Sequence, residues 1–190
     1  MPEIALEGEV IGKITKECNE ETGFPIGLKY ICTGNDKSCE ALGCGAITSN
    51  CAHVSYGTGS TIAVISEKYF EPERFLPSYS TCFPNHYTGE VQIYRGYRML
   101  KWFLHEFGDK ESIEATIEKV APEELLNDKI MSIPPGSDGL LLQPYWGPGL
   151  SRPLAKGSIV GFYDVHTKYH IYRAIIEGIG FALKEGLESI

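Results

Sequence analysis

The segment at residues 29–45, KYICTGNDKSCEALGCG, contains three cysteines and a single aspartate, Asp36. A cluster of thiols is typical of a metal or redox site. A lone carboxylate after an apolar run suggests a general base instead, because it can accept a proton from a reacting hydroxyl. The two alternatives imply different proteins, and the spacing of the cysteines helps to separate them.

The cysteine spacing argues against a metal site. Zinc ligands usually come in close pairs such as C-x2-C, and the sequence contains no such pair. Cys39 and Cys44 are five residues apart, so on a helix they would lie about 140° from each other around the axis. We therefore expect free thiols and no bound metal for the whole set: Cys18, Cys32, Cys39, Cys44, Cys51 and Cys82.

Asp36 follows an apolar run at residues 27–34, bounded by glycines, which predicts a buried strand. The segment KSCEALGCG then predicts a short helix with Asn35 or Asp36 at its N-cap. Asp36 either caps this helix or acts as a general base at the carboxyl end of the strand, where open α/β sheets bind their ligands. Gly34 slightly favours the second alternative, because glycine lets a substrate approach the backbone closely.

A second candidate site is the turn Gly57-Thr58-Gly59-Ser60, which lies between two β-rich runs within residues 51–65 and predicts a hairpin. Most glycine-rich turns only reverse the chain. Consecutive backbone N–H groups in such a turn can also form a nest that binds an anion, and two hydroxyls add further donors. On the residues alone, both interpretations stay open.

The remaining elements predict an α/β protein. Residues 66–90 show weak periodicity and predict an irregular segment with short strands. Apolar spacing and helix-start signals predict helices at 90–108, 111–120, 121–130 and from about 167 onward. A continuous apolar run predicts a strand at 137–145, and a segment rich in glycine and proline predicts a loop at 146–157. The last helix contains Gly178, Gly180 and Gly186. Because interior glycines weaken a helix, we expect another backbone to pack closely against it.

Composition narrows the classes of partner. The chain of 190 residues carries a net charge of −8 and has no basic run, so neither nucleic acid nor an anionic membrane is an expected partner. No apolar stretch approaches the roughly 20 residues that span a bilayer. The N-terminus lacks the basic and apolar regions of a signal peptide. We expect a cytoplasmic protein.

Four segments, taken in order, resemble motifs of the FGGY carbohydrate kinases. TGFPIGLKYICTGNDKSCEALGCGA is similar to the family's TGLPxGxPV run, which leads into G-x-x-D and an A-x-x-G-x-G helix. SYGTGSTIAV resembles the S-x-GTS phosphate-binding hairpin, and DGLLLQPYWGPGLSRP the DGLxxxPYxxGxRxP loop. GFYDVHTKYHIYRAIIEGIGFAL resembles the RAxxEGxAF helix. The resemblance covers almost the whole chain.

The resemblance implies an α/β fold of the actin-like ATPase, ribonuclease H-like type. It implies that residues 1–190 are the start and middle of a C-terminal domain, without the N-terminal domain and the final adenosine-binding segment. In the intact enzyme, ATP and a sugar or polyol would bind in the cleft between two domains. The γ-phosphoryl group of ATP would pass to a hydroxyl with the help of Mg²⁺.

The resemblance also assigns individual residues. Asp36 matches the family's catalytic aspartate, which accepts the proton of the attacking hydroxyl. Gly34 and Asn35, together with Asp36, are implied substrate-binding residues. Gly57 and Thr58 match the hairpin that binds the phosphates of ATP.

Two positions depart from the family pattern. The serine that follows Gly-Thr in the family is replaced by Gly59, with Ser60 one place later, and we assign both residues to the phosphate-binding turn. GPGLSRP replaces G-x-R-x-P, so Arg152 matches only approximately as a loop contact.

The first hypothesis is therefore a fragment of an ATP-dependent sugar kinase, inactive by itself. A stand-alone, non-catalytic module that binds a sugar or nucleotide is the alternative, and a thiol or metal protein is a third. The oligomeric state stays open, with a homodimer among the options. The sequence does not identify the sugar.

Overall fold

The computed structural model describes residues 4–147, 149 and 152–190. The chain divides into two compact units. The first unit contains the residues up to His53, with Ala63–Pro72 and Pro77–Glu90. The second unit contains Val54–Ile62, Glu73–Leu76 and Val91–Ile190. No helix in the described part of the chain is both long and apolar enough to cross a membrane.

The described elements alternate between strands and helices. In chain order they are β1 (Val10–Lys13), α1 (Lys16–Thr22), β2 (Lys29–Ile31), α2 (Asp36–Gly43), β3 (Ala52–Tyr56), β4 (Ser60–Ser66), β5 (Tyr79–Ser80), β6 (Tyr87–Ile93), α3 (Arg98–Phe107), α4 (Asp109–Glu118), α5 (Pro122–Ile130), a 3₁₀ turn (Ser137–Gly139), β7 (Leu141–Gln143), β8 (Ser158–Val160) and α6 (Lys168–Ser189).

Strand β2 lies inside the predicted strand at residues 27–34, but the expectation that it is buried is wrong. All three residues of β2 are exposed, and Tyr30 is 62% exposed. The physical reason is that, among the described strands, β2 has β1 as its single partner in a two-stranded antiparallel sheet, with Lys29 opposite Lys13 and Ile31 opposite Val10. The apolar composition of the run therefore does not reflect burial within the described residues.

The predicted hairpin at residues 51–65 is confirmed as β3 and β4, which are neighbours in a four-stranded sheet of order β3-β4-β6-β5. Strand β5 pairs antiparallel with β6, with Tyr79 opposite Thr88. Strands β3, β4 and β6 each contribute residues to both units. The segment predicted at 66–90 to be irregular with short strands contains the end of β4, all of β5 and the first part of β6.

The helix predicted at residues 90–108 begins later than expected. Residues 90–93 belong to strand β6, and α3 starts at Arg98. The reason is visible in the alternation of β6, because Val91 and Ile93 are buried while Gln92 is exposed, as in a strand with one covered face. The helix ends as predicted at Gly108, whose N–H donates to the Leu104 carbonyl.

The core of the second unit is built from its helices and from strands β6 and β7. Its most buried members come from α3, α5, α6 and the segment around β7: Met99, Phe103, Leu126, Leu140, Tyr172, Ile175 and Ile179. Along α6, Ile175, Ile179 and Leu183 follow one another at four-residue spacing and are buried, whereas Leu187 at the end of the line is 45% exposed.

The glycines of α6 have three different environments. A Cβ on Gly178 would lie 2.5 Å from the Leu142 carbonyl oxygen of β7, so a backbone does pack closely there, as predicted. A Cβ on Gly186 would meet the side chains of Ile62 and Val91, both at 3.1 Å. Outside the backbone of α6 itself, no atom of the described residues lies within 4 Å of such a Cβ on Gly180, so the expectation of close backbone packing is wrong at that position.

A buried carboxylate joins α4 to α6. Glu111 is 1% exposed, and its carboxylate accepts hydrogen bonds from Lys168 Nζ at 2.6 Å and from Tyr169 Oη at 2.9 Å. Burial alone would raise the pKa of Glu111. The hydrogen bonds from Lys168 and Tyr169 outweigh that effect and hold the pKa below its usual value.

The contact at Gly178 predicts opposite effects for two alanine substitutions in one helix. Gly178→Ala should lower the free energy of unfolding by about 2 kcal/mol, because the new methyl group collides with the β7 backbone. Gly180→Ala is the matched control and should raise that free energy by about 0.5–1 kcal/mol, because its site is open and alanine favours helix. Urea unfolding measures both, and equal effects would contradict the close contact.

The environment of Glu111 predicts a pH-dependent stability. A carboxyl group with a lowered pKa in the folded state stabilises the protein above its unfolded-state pKa of about 4.3, and this contribution disappears as the pH falls through the folded-state value. Glu111→Gln should therefore reduce the free energy of unfolding by about 1–3 kcal/mol at pH 7 and by much less at pH 3. Glu118→Gln, at an exposed position of the same helix, should change it little at either pH. A pH-independent effect of Glu111→Gln would contradict the argument.

Candidate functional site

The first candidate site is the turn before α2, in the first unit. Asn35 is the N-cap, and its Oδ1 accepts a hydrogen bond from the Ser38 N–H at 2.8 Å. Asp36 is the first residue of the helix and is exposed, and its Oδ1 accepts from the Lys37 N–H at 2.9 Å. Because Asn35 performs the capping, the capping interpretation does not account for Asp36.

Gly34 lets this turn pack against the segment at residues 80–82. A Cβ on Gly34 would lie 2.9 Å from Ser38 Cβ, 3.0 Å from Cys82 Sγ and 3.2 Å from the Cys82 nitrogen. Ser38 Oγ donates to the Ser80 carbonyl at 3.1 Å, which fixes the first turn of α2 to the same segment. The structure therefore supplies a packing reason for the glycine, and a contact between Gly34 and a substrate stays a prediction.

Charged groups of the first unit surround Asp36. Lys37 Nζ lies 2.9 Å from Glu40 Oε2. Glu90 of β6 is partly buried, and burial raises the pKa of its carboxyl group. The positive charge of Lys37 lowers that pKa, whereas the negative charges of Asp36 and Glu40 raise it further. Asp36 thus belongs to a cluster of interacting charges at the start of α2, although it is itself open to solvent.

The second candidate site is the turn between β3 and β4, in the second unit. Gly57 and Thr58 line a cavity of about 750 Å³ together with Tyr56, Tyr97, Arg98, Lys101 and Trp102. The Tyr97 N–H donates to the Gly57 carbonyl at 3.3 Å, which joins the turn to the start of α3. Two exposed basic side chains therefore border the same cavity as the glycine-rich turn, an arrangement that suits an anion.

Gly59 and Ser60 have different surroundings from Gly57 and Thr58. A Cβ on Gly59 would approach Gln92 Nε2 to 2.6 Å, so a serine at this position would displace that side chain. Ser60 is fully buried beneath Gly96, where a Cβ would lie 2.4 Å from Ser60 Oγ. The Ser60 hydroxyl has no hydrogen-bond partner among the described residues. Its predicted contact with phosphate stays a prediction, and it would require a shift of this packing.

Arg152 joins its loop to α6. Its Nη2 lies 2.6 Å from Glu185 Oε1, and its Nη1 donates to Tyr145 Oη, above whose ring the guanidinium carbon sits at 5.3 Å. Residues 148, 150 and 151 of the predicted GPGLSRP loop lie outside the described residues. The described contacts of Arg152 hold the loop, and its contact with a ligand stays a prediction.

Arg98 and Lys101 are candidate site residues that the sequence analysis did not single out. The sequence contains a pattern that could have indicated them, because the two basic residues lie three apart at the start of an amphipathic helix that follows a glycine-containing turn. The described residues contain no cluster of three or more histidine, cysteine, aspartate or glutamate side chains that could hold a metal ion. The sulfur atoms of all six cysteines are unlinked.

Comparison with known proteins places these features in a wider context. A model of the FGGY family of carbohydrate kinases, C-terminal domain, matches residues 52–190. The uncharacterized sugar kinase YgcE of Escherichia coli is 29% identical over 99% of this chain and 38% of its own length. The xylulose kinase of Bacillus subtilis is 32% identical over 98% of this chain and 36% of its own length. The chain thus spans well under half the length of the curated relatives it matches.

A solved structure shares the fold. Gluconate kinase from Lactobacillus acidophilus superimposes with a TM-score of 0.77 at 27% identity, covering 99% of this chain and 37% of that protein. The predicted α/β fold of the actin-like ATPase, ribonuclease H-like type is therefore confirmed.

The basic border of the hairpin cavity predicts binding of a polyphosphate anion. Lys101→Ala should weaken the binding of tripolyphosphate about tenfold, because one charge-assisted contact is lost. Lys110→Ala, at an exposed site of α4, is the control of equal charge and should leave the affinity unchanged. Isothermal titration calorimetry at low salt measures both, and equal losses would mean that only net charge matters.

Proposed function

Because the chain belongs to the FGGY family of carbohydrate kinases, we propose that the protein transfers the γ-phosphoryl group of ATP to a hydroxyl of a sugar or polyol. The activity is proposed for the whole protein, since relatives of this chain are more than twice as long as the region it matches. We place residues 1–190 in the C-terminal half of such an enzyme.

The single observation that carries the catalytic assignment is the state of Asp36. Its carboxylate is exposed at the first residue of α2, and the capping role that would otherwise explain an aspartate there belongs to Asn35. We assign Asp36 as the general base. It accepts the proton of the attacking hydroxyl and orients that oxygen toward the phosphorus atom.

The turn at Gly57 and Thr58 is the proposed site for the phosphates of ATP. Supporting this assignment, both residues line the cavity that Arg98 and Lys101 border, and a glycine-rich turn exposes backbone N–H groups that bind anions. ATP supplies the phosphoryl group and a leaving group that accumulates negative charge. The basic side chains would neutralise part of that charge, which is the main route by which proteins accelerate this reaction.

Mg²⁺ is part of the proposal for the intact enzyme. The described residues do not form a ligand cluster of their own. This agrees with the way Mg²⁺ is usually bound, by one or two carboxylates, several waters and the phosphates of the nucleotide. In that arrangement the nucleotide phosphates would hold the ion, and it would neutralise part of their charge.

The substrate is proposed as a small polyhydroxylated carbohydrate, with Gly34 and Asn35 beside its reacting hydroxyl. Asn35 is exposed, but its Oδ1 already accepts the hydrogen bond of the helix cap. The substrate would therefore contact other atoms of this turn. Relatives of this chain include xylulose kinases and gluconokinases. Ketopentoses and sugar acids are accordingly the first substrate classes to assay.

Substitution of Asp36 tests the proposed mechanism. In the full-length protein, Asp36→Asn should lower kcat by about 10²–10⁴-fold, since the amide cannot accept the proton. Asp109→Asn is the matched control, because Asp109 is also an exposed aspartate at the first residue of a helix. It should leave kcat unchanged, and both variants should unfold at nearly the same urea concentration as the unmodified protein.

The outcome that contradicts the assignment is a kcat for Asp36→Asn within a factor of two of that of the unmodified protein. A large loss shared by Asp109→Asn would point to a general effect of removing helix-start charges. Calorimetric titration with ATP completes the test, because the loss of a base should leave nucleotide affinity nearly intact.

A further inference from the structure

Two cysteines of the first unit lie close together in space although 43 residues separate them in the sequence. Cys39 belongs to α2, and Cys82 follows strand β5. The distance between their Sγ atoms is 3.5 Å. A disulfide bond is about 2.05 Å long, so the two sulfur atoms need to approach by only about 1.5 Å to form one.

The two thiols differ in exposure. Cys39 is exposed, and Cys82 is partly buried. Burial raises the pKa of the Cys82 thiol, and its contact with Cys39 adds to the shift. An oxidant reaches an exposed sulfur first, and the thiolate is the form that reacts with it. Cys39 is therefore the residue that is oxidised first, and Cys82 is the residue that then reacts with oxidised Cys39 to form the disulfide.

We propose that Cys39 and Cys82 are a modification site, at which hydrogen peroxide oxidises the two thiols to a reversible disulfide that regulates the kinase. In the first step, the Cys39 thiolate attacks one peroxide oxygen, the O–O bond breaks, and a sulfenic acid forms while hydroxide leaves and is protonated to water. In the second, Cys82 sulfur attacks the sulfenic sulfur, the S–O bond breaks, and the thiol proton leaves with the oxygen as water. Two thiols and one hydrogen peroxide thus give one disulfide and two waters, and a thiol reductant reverses the change.

The location explains why this pair would matter for activity. Cys39 is three residues after Asp36 in the same helix, and the Cys82 nitrogen and sulfur pack against Gly34 on the other side of the turn. A disulfide would pull the first turn of α2 toward the segment at residues 80–82. The effect on turnover rests on the proposed function, since it acts by displacing Asp36 from its position beside the hydroxyl.

Other chemistry fits the pair less well. A metal ion would need further ligands, and no cluster of three or more histidine, cysteine, aspartate or glutamate side chains is present among the described residues. Cys44 and Cys51 are exposed as well, which makes them useful comparisons because exposure alone would oxidise them equally.

Peptide mapping tests the disulfide without reference to activity. The reduced full-length protein is treated with hydrogen peroxide, its remaining thiols are alkylated, and its proteolytic peptides are analysed by mass spectrometry. We expect a cross-linked peptide that joins Cys39 to Cys82 and disappears after treatment with dithiothreitol. The cross-link should persist in Cys44→Ser and be absent from Cys82→Ser. Recovery of Cys39 only as a sulfinic acid, or joined to another cysteine, would overturn the inference.

An activity measurement on the same samples tests the regulatory part. Oxidation should lower the sugar-dependent turnover of the unmodified protein about tenfold, and dithiothreitol should restore it. The turnover of Cys82→Ser should not respond reversibly to the same treatment. Formation of the cross-link without any change in turnover would overturn the regulatory role. Absence of turnover in the reduced protein would instead count against the proposed function, and the peptide map would still decide whether the disulfide forms.

Discussion

The larger unit of this protein depends on the approach of helix α6 to strand β7. At Gly178 the helix comes so near that a single Cβ would collide with the Leu142 carbonyl. The preceding residue is Glu177, whose carboxylate accepts hydrogen bonds from the Gly136 N–H and from Ser137 Oγ and pairs with Arg173 at 2.8 Å. Arg173 also donates to the Ile130 carbonyl. Arg173, Glu177 and Gly178 of the RAxxEG segment thus join α6 to the segment that enters β7, and these contacts account for the three residues without a ligand.

Small residues also allow close packing at each of the two candidate turns, one in each unit. Gly34 makes room for Cys82 behind the Asp36 turn, and Gly96 covers the buried Ser60 behind the hairpin turn. In each case, packing on one side fixes the backbone of the turn. The exposed Asp36 carboxylate belongs to the first turn, and the cavity is lined by the hairpin turn. A positioned turn of this kind suits phosphoryl transfer, which depends more on placement and charge neutralisation than on covalent chemistry. At Gly59, Gln92 occupies the space that a serine side chain would need.

Local pattern predicted most of the elements and the first residues of the site. An N-cap at Asn35 or Asp36, the hairpin around Gly57 and the end of α3 at Gly108 all follow from short-range chemistry, and the order of the four motifs indicated the family. The errors came where a pattern had two physical meanings. An apolar run predicted burial at Tyr30, although the run forms an exposed two-stranded sheet. Residues 90–93 directly precede a strongly amphipathic helix and were assigned to it, although the buried Val91 and Ile93 flank the exposed Gln92, which is the alternation of a strand. The Cys39–Cys82 pair and the cavity bordered by Lys101 could not be predicted, because both depend on contacts between residues distant in sequence.

We propose above all that this chain carries the base and part of the phosphate site of a sugar kinase. The most direct measurement follows the label from [γ-³²P]ATP when the full-length protein is incubated with a panel of ketopentoses, sugar acids and polyols. The account predicts that the label moves to one substrate class as a sugar phosphate, with one ADP formed for each labelled product. Release of labelled inorganic phosphate alone, whatever carbohydrate is added, would contradict it.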